Sequence, residues 1–174
     1  KEIPKVSLFL SFKAGHRYEK TEKSGTAILM ADLLNESTQI HTAEEISTIL
    51  EKMGSSIDVS ASGSEINFSI TSLSANLAAT LRILEEIILK PKFDTSEFSR
   101  VKKELLDQIT LQNTQAAATA DKVFAKLLFG NDHILSMPTN GTPETVSKLN
   151  VDDIHNYYKE QISPSVAELV VVGD

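Results

Sequence analysis

The 174-residue chain has no cysteine and no tryptophan, and only 6% of it is aromatic. Without cysteine it can form neither disulfides nor thiolate metal sites, although this does not choose between a reducing and an oxidising compartment. With so few rings there is no stacking platform for bases. Lysine and arginine nowhere cluster, and the formal net charge is −7, which argues against nucleic acid and anionic lipid as partners. No apolar run approaches the roughly 20 residues of a membrane span. No basic leader with an apolar core precedes the first strand, so the sequence shows no signal segment and leaves the compartment unknown. His16, His41, His133 and His155 are scattered. Gly-x-Ser-x-Gly elbows and glycine-rich phosphate loops are missing, which weighs against an independent hydrolase.

What remains is the composition of a soluble globular protein, 41% hydrophobic and 24% charged, long enough for a substantial core. No internal repeat or low-complexity linker divides it, so residues 1–174 read as one α+β lobe. The chain begins Lys1-Glu2 without methionine and ends just after an apolar strand. That pattern reads as a lobe excised from a longer, multi-lobe polypeptide.

Alternation marks the strands. Val6, Leu8, Leu10 and Phe12 share one face of a first strand closed by Ala14-Gly15. Ile57, Val59 and Ala61, then Ile66, Phe68 and Ile70, make a hairpin turning at Gly63-Ser64. Its other face carries Asp58, Ser60, Ser62, Asn67, Ser69 and Thr71, which must meet water or a water-filled cavity. Glu168 to Val172 is nearly all apolar and is expected at the centre of the sheet.

Helices fill the rest. Thr42-Ala43-Glu44-Glu45 is a capping box, and Asp94-Thr95-Ser96-Glu97 reads as a second. Leu77, Leu81, Leu84, Ile87 and Ile88 form the stripe of a helix stopped by Pro91. Phe98, Val101, Leu105 and Ile109 form the next stripe. An alanine-rich helix follows a break at Asn113-Thr114, with Val123, Phe124, Leu127 and Leu128 expected in the core. Thr142-Pro143-Glu144 and Asn150-Val151-Asp152-Asp153 open two more helices. His16 falls in a loop with no partner nearby in sequence and is expected in solvent. The fold class is α+β, an antiparallel-rich sheet with several helices packed on one face.

One further stretch organises the chain, Ser24-Gly25-Thr26-Ala27-Ile28-Leu29-Met30-Ala31-Asp32-Leu33-Leu34-Asn35-Glu36-Ser37-Thr38. It resembles the zinc helix of the pitrilysin/insulinase metallopeptidases, which are inverted zincins and run roughly Gly-Leu-Ala-His-x-x-Glu-His-Met-x-x-x-Gly-Thr. Gly25, Ala27 and Thr38 fit that frame. Ile28 stands at the first histidine, Ala31 at the glutamate and Asp32 at the second histidine. Ile28 offers no lone pair and Ala31 no proton acceptor, and Asp32 alone is one oxygen where a catalytic site needs three protein ligands. Asp32 is therefore expected to be a solvated helix carboxylate. The family's third ligand, a later glutamate, falls on Asp107 or Gln108, with Glu104 one turn away as surface charge.

The resemblance extends through Gly15, Met53-Gly54-Ser55-Ser56-Ile57, Pro91-Lys92-Phe93, Phe129-Gly130-Asn131-Asp132-His133, Asn140-Gly141-Thr142-Pro143-Glu144 and Val171-Val172-Gly173-Asp174. It implies a repeating lobe of the pitrilysin/insulinase fold. In this family two related halves of two lobes each close around a peptide chamber, and one half carries zinc. On that basis the chain is expected to have no catalytic, cofactor-binding or metal residues of its own. Its partners would be a zinc-bearing homologous half, in the same polypeptide or a separate subunit, and a peptide substrate. Asp58, Ser60, Ser62, Asn67, Ser69 and Thr71 would be chamber-facing peptide contacts. Whether the chain is part of an enzyme stays open. The parent would be a zinc metalloendopeptidase, or the lobe would belong to a structural or assembly subunit like the core proteins of respiratory complexes.

Overall fold

The computed structural model describes residues 4–173. Lys1, Glu2, Ile3 and Asp174, the last residue of the Val171–Asp174 tag, lie outside the described residues. Four strands form one antiparallel sheet: β1 (Lys5–Phe12), β2 (Ser56–Ala61), β3 (Ile66–Leu73) and β4 (Ala167–Gly173), in the order β2-β3-β1-β4. Seven α-helices are described: α1 (Thr26–Leu34), α2 (Ala43–Met53), α3 (Leu77–Leu89), α4 (Thr95–Asn113), α5 (Ala116–Phe129), α6 (Pro143–Lys148) and α7 (Val151–Gln161).

The period-two pattern sets the sheet's two faces. Leu8 opposes Ile70, Leu10 opposes Phe68 and Phe12 opposes Ile66, while Val59 lies across from Phe68 on the other flank. These side chains turn toward the helices, and the core continues into α1, whose Leu29, Met30, Leu33 and Leu34 are all buried. This helix packs against α7, α4 and β2 and is enclosed on nearly every side. On α4 the buried residues are Phe98, Val101, Leu105 and Ile109, the stripe the sequence marks.

Helix ends follow from local chemistry. Thr42 accepts from the Glu45 N–H while the Glu45 carboxylate accepts from the Thr42 N–H, a complete capping box, and Asn150 with Asp153 makes another. Asp94 is different. It accepts from the Ser96 N–H, but Glu97 does not close a box, because its carboxylate accepts from the Ser37 hydroxyl beyond α1.

Three more expectations are overturned. β4 is an edge strand, not a central one, and every residue in it is exposed. Among the described residues nothing covers the side chains of Leu169, Val170, Val171 and Val172 on either face. In α5 no residue is buried, and Val123, Phe124, Leu127 and Leu128 stand in solvent with Leu127 82% exposed. A stripe of correct period finds nothing to pack on among the described residues. On α3 the inward positions are Thr80, Ile83, Leu84, Glu86 and Ile87, whereas Leu81 faces outward. The helix is rotated so that Thr80 joins the hydroxyls of Ser55 and Ser72 at 2.8 and 2.9 Å.

Candidate functional site

The entry to α1 is built from distant parts of the chain. Gly25 caps the helix with φ of 101°, in the left-handed region that a side chain strains. Just ahead of it, the Glu19 carboxylate accepts from the Gly25 N–H at 3.1 Å and the Ala27 N–H at 2.6 Å, two groups that a helix start leaves unpaired. Glu19 is held in turn by His16, whose Nδ1 lies 2.8 Å from it. The His16 Nε2 faces two carbonyls, Ile134 at 3.0 Å and Met137 at 3.1 Å. All of these partners accept and none donates, so the protonated imidazolium alone satisfies both ring nitrogens. Burial works to lower the His16 pKa, but the Glu19 hydrogen bond and charge together with the two carbonyls raise it above the ordinary value. His16 is thus not a solvated loop residue; it is a buried structural cation.

The loop before α6 supports the same point. Gly141 has φ of 76°, and a Cβ there would meet the Ser24 carbonyl at 2.4 Å. The Thr145 hydroxyl donates to that carbonyl at 2.8 Å, and the Ser24 hydroxyl donates to Pro138. Asn140-Gly141-Thr142-Pro143-Glu144, read in the sequence as a tag, is a clamp on Ser24-Gly25.

Beyond this entry, α1 presents the three motif positions. Ile28 is half-buried, Ala31 is completely buried and Asp32 is partly buried. Asp32 borders a cleft of about 230 Å³ with Asn35, Glu36, Val101, Glu104 and Gln108. Of the two candidates for a third-ligand position, Gln108 reaches this cleft and Asp107 is not among its lining residues. Burial first, and then the charges of Glu104 and Glu36, push the Asp32 carboxyl up to about 6. It is therefore not the ordinary solvated carboxylate expected from sequence.

Arg100 offsets part of that negative charge. Its guanidinium reaches Glu36 at 2.6 Å and Glu104 at 3.0 Å, and these hydrogen bonds raise its own pKa further. Glu104 is exposed, as expected, but engaged. These residues do not fit the zinc site of an inverted zincin. An aliphatic side chain fills the first ligand position, a methyl group the place of the base, and an arginine holds the nearest glutamates. Among the described residues no three His, Cys, Asp or Glu side chains are grouped to hold a metal.

The second surface of interest is the sheet face turned away from the helices. Strand register places Ser56, Thr71, Ser7 and Val172 in one row, Asp58, Ser69, Phe9 and Val170 in the next, and Ser60, Asn67, Ser11 and Glu168 in a third. Asp58, Ser60, Asn67, Ser69 and Thr71 therefore share one outward face, with Phe9 52% exposed at its centre. Ser62 lies past the end of β2, where its hydroxyl accepts from the Glu65 N–H at 3.0 Å and holds the hairpin turn.

Residues 1–134 match the family model described as Insulinase (Peptidase family M16). The chain belongs to that family. A curated relative, the "Non-peptidase homolog YmxG" of Helicobacter pylori, is 23% identical across 99% of this chain and 40% of its own length. The "Uncharacterized zinc protease YmxG" of Bacillus subtilis is 21% identical across 99% of this chain and 42% of its own. This chain thus spans about two fifths of those relatives. The crystal structure of a peptidase M16 inactive domain from Pseudomonas fluorescens superposes with a TM-score of 0.93 at 23% identity, over 99% of this chain and 42% of that one. A protease from Helicobacter pylori gives 0.90 at 21% identity, over 98% and 41%. These superpositions establish the fold. Within the insulinase family, this is a lobe without the His-x-x-Glu-His motif. No described helix is long and apolar enough to cross a membrane.

Some site features have no signature in the sequence. Arg100–Glu104 has the i,i+4 spacing of a helix ion pair, but nothing in the sequence signals the Arg100–Glu36 contact or the His16–Glu19 pair in its irregular stretch. The outward polar face, by contrast, is legible from strand alternation alone.

Proposed function

We propose that this chain is one non-catalytic lobe of a longer pitrilysin/insulinase-like zinc metallopeptidase. It forms part of the wall of a peptide chamber opposite a zinc-bearing homologous half. That half lies in the same polypeptide or in a separate subunit, and zinc belongs to it. The observation that carries this reading is a lost ligand set combined with an intact scaffold. Ile28, Ala31 and Asp32 cannot bind and activate a zinc-bound water, yet the clamp around Ser24-Gly25 holds the motif helix in place.

The wall itself is the sheet face bearing Asp58, Ser60, Asn67, Ser69 and Thr71, with Ser62 at its rim. Short polar side chains hydrogen-bond the main chain of an unfolded peptide without demanding particular residues, and Phe9 adds an apolar contact at the centre. The test uses the assembled protein. Ser60→Arg together with Ser69→Arg is expected to leave the unfolding transition unchanged and to lower peptide turnover about tenfold or more through charge and bulk in the chamber. Unchanged turnover by a folded double variant would assign the face to plain solvent.

A second reading is a structural or assembly subunit of the same fold with no peptidase partner. The apolar surfaces of α5 and β4 favour a protein neighbour of some kind. A neighbouring half that lacks His-x-x-Glu-His would decide for this reading.

A further inference from the structure

The sheet has two edges, β2 and β4. An edge strand offers unpaired N–H and C=O groups to any extended chain that approaches, and natural proteins blunt such edges. In an antiparallel pair the residues alternate between those bonded to the partner and those whose backbone groups point away from it. Here the Ser62 N–H donates to the Glu65 carbonyl at 2.7 Å, which fixes the phase. Counting back along the register, Ser60 and Asp58 bond to β3, whereas Ala61, Val59 and Ile57 aim their backbone groups at the open edge.

At the middle of that edge stands Asn35, the residue that ends α1. Its Oδ1 accepts from the Val59 N–H at 2.9 Å, and its Nδ2 donates to the Val59 carbonyl at 2.7 Å. The second Nδ2 proton goes to the Ala31 carbonyl at 3.1 Å. A carboxamide that accepts from an N–H and donates to the C=O of the same residue reproduces the pair of bonds exchanged by a peptide unit in an adjacent strand. Beside it, between α2 and β2, runs a groove of about 520 Å³ lined by Ile46, Leu50, Ile57 and Asp58, with Asn35 on its wall. A strand added at the usual spacing of about 4.8 Å would enter there. Among the described residues no side chain makes a comparable double contact with the backbone of β4.

We propose that Asn35 closes the open edge of β2 to strand addition, occupying the place of the peptide unit that would pair with Val59 in an incoming extended polypeptide. The Ile57 and Ala61 groups on either side then remain too short a ladder to capture a strand. This concerns the edge of the sheet and not its face, and is independent of the chamber reading.

Two measurements on the full polypeptide test it. First, single-residue amide exchange by NMR should show the Val59 N–H protected relative to those of Ile57 and Ala61. In Asn35→Ala and Asn35→Leu that protection should be lost while Asp58 and Ser60 keep theirs. Second, a fluorophore-labelled hexapeptide of alternating threonine and valine should bind the Asn35 variants about tenfold or more tightly than the unaltered protein. A version N-methylated on alternate amides should bind neither. A concentration-dependent dimer of the variants alone, with newly protected Ile57 and Ala61, supports the same edge opening toward a second copy. Equal peptide binding by variant and unaltered protein would overturn the proposal. So would a Val59 amide in the unaltered protein exchanging as fast as its two neighbours, a result that does not require any variant to fold.

Discussion

Asp32 stands at the position of the motif's second histidine. A histidine pair would bring two neutral imidazoles to a cation, whereas this helix brings a carboxylate into a cleft already holding Glu36 and Glu104. Burial in that cleft first, and then the charges of Glu104 and Glu36, push the Asp32 carboxyl up to about 6, against 3.8 ordinarily. A carboxyl whose pKa is raised on folding contributes stability below its unfolded pKa and loses that contribution as pH rises through the folded value. Asp32→Asn is therefore expected to stabilise the protein above pH 6 by about 1–2 kcal/mol, after discounting for solvent near the cleft. Below the ordinary carboxylate range it should change little. Urea denaturation at pH 7.5 and pH 3.5 checks this, and an equal effect at both would remove the charge explanation.

Among the elements, α1 depends most on its surroundings. It is a nine-residue helix, too short to be stable alone, and its first amides are paired by Glu19 from outside it. The His16–Glu19 pair gives the cap a pH window of its own. Because the His16 pKa is raised, the pair's contribution is complete below the unfolded histidine value and fades as pH rises through the higher folded one. Stability should fall on the alkaline side of about pH 6.5, above the window in which Asp32 titrates. Glu19→Gln should cost about 3 kcal/mol at pH 6, because it strips a buried cation of its partner. It should also flatten that alkaline slope. Chemical denaturation across pH 6 to 9 reads both effects, and a slope unchanged in Glu19→Gln would move the titration to another group.

For the molecule as a whole, the question is whether the motif can be written back. Ile28→His, Ala31→Glu and Asp32→His restore two ligands and a base in sequence, but the fold has closed around their absence. Ala31 is completely buried, so a glutamate there puts a carboxylate into packed surroundings. Glu104 is committed to Arg100, and Gln108 is no anion. The triple variant is expected to unfold roughly 10 °C lower, as several kcal/mol of buried charge imply for a chain of this size. It should also hold no stoichiometric zinc without further change to Arg100 and Gln108. Calorimetry and metal analysis after dialysis decide this. One equivalent of zinc in a protein of unaltered stability would mean that the scaffold had retained more of the site than its packing indicates.

Whatever depends on neighbours along the chain can be read from the residues alone. The strand faces, the capping box at Thr42, the stop at Gly54 and the α4 stripe are set by periods of two and 3.6 and by side chains a few residues apart. The family frame and the loss of its ligands at Ile28, Ala31 and Asp32 were legible for the same reason. Where an apolar segment goes depends instead on packing across the fold. Val123 to Leu128 and Leu169 to Val172 have the composition of a core and lie at its outside, because burial belongs to what packs on a segment and not to the segment. The same packing also decides which polar groups meet. His16 finds Glu19 and two carbonyls more than a hundred residues away, Arg100 finds Glu36, and Asn35 finds Val59. Apart from His16–Glu19, three residues apart, these contacts join parts of the chain that no local pattern connects, and folding alone brings them together.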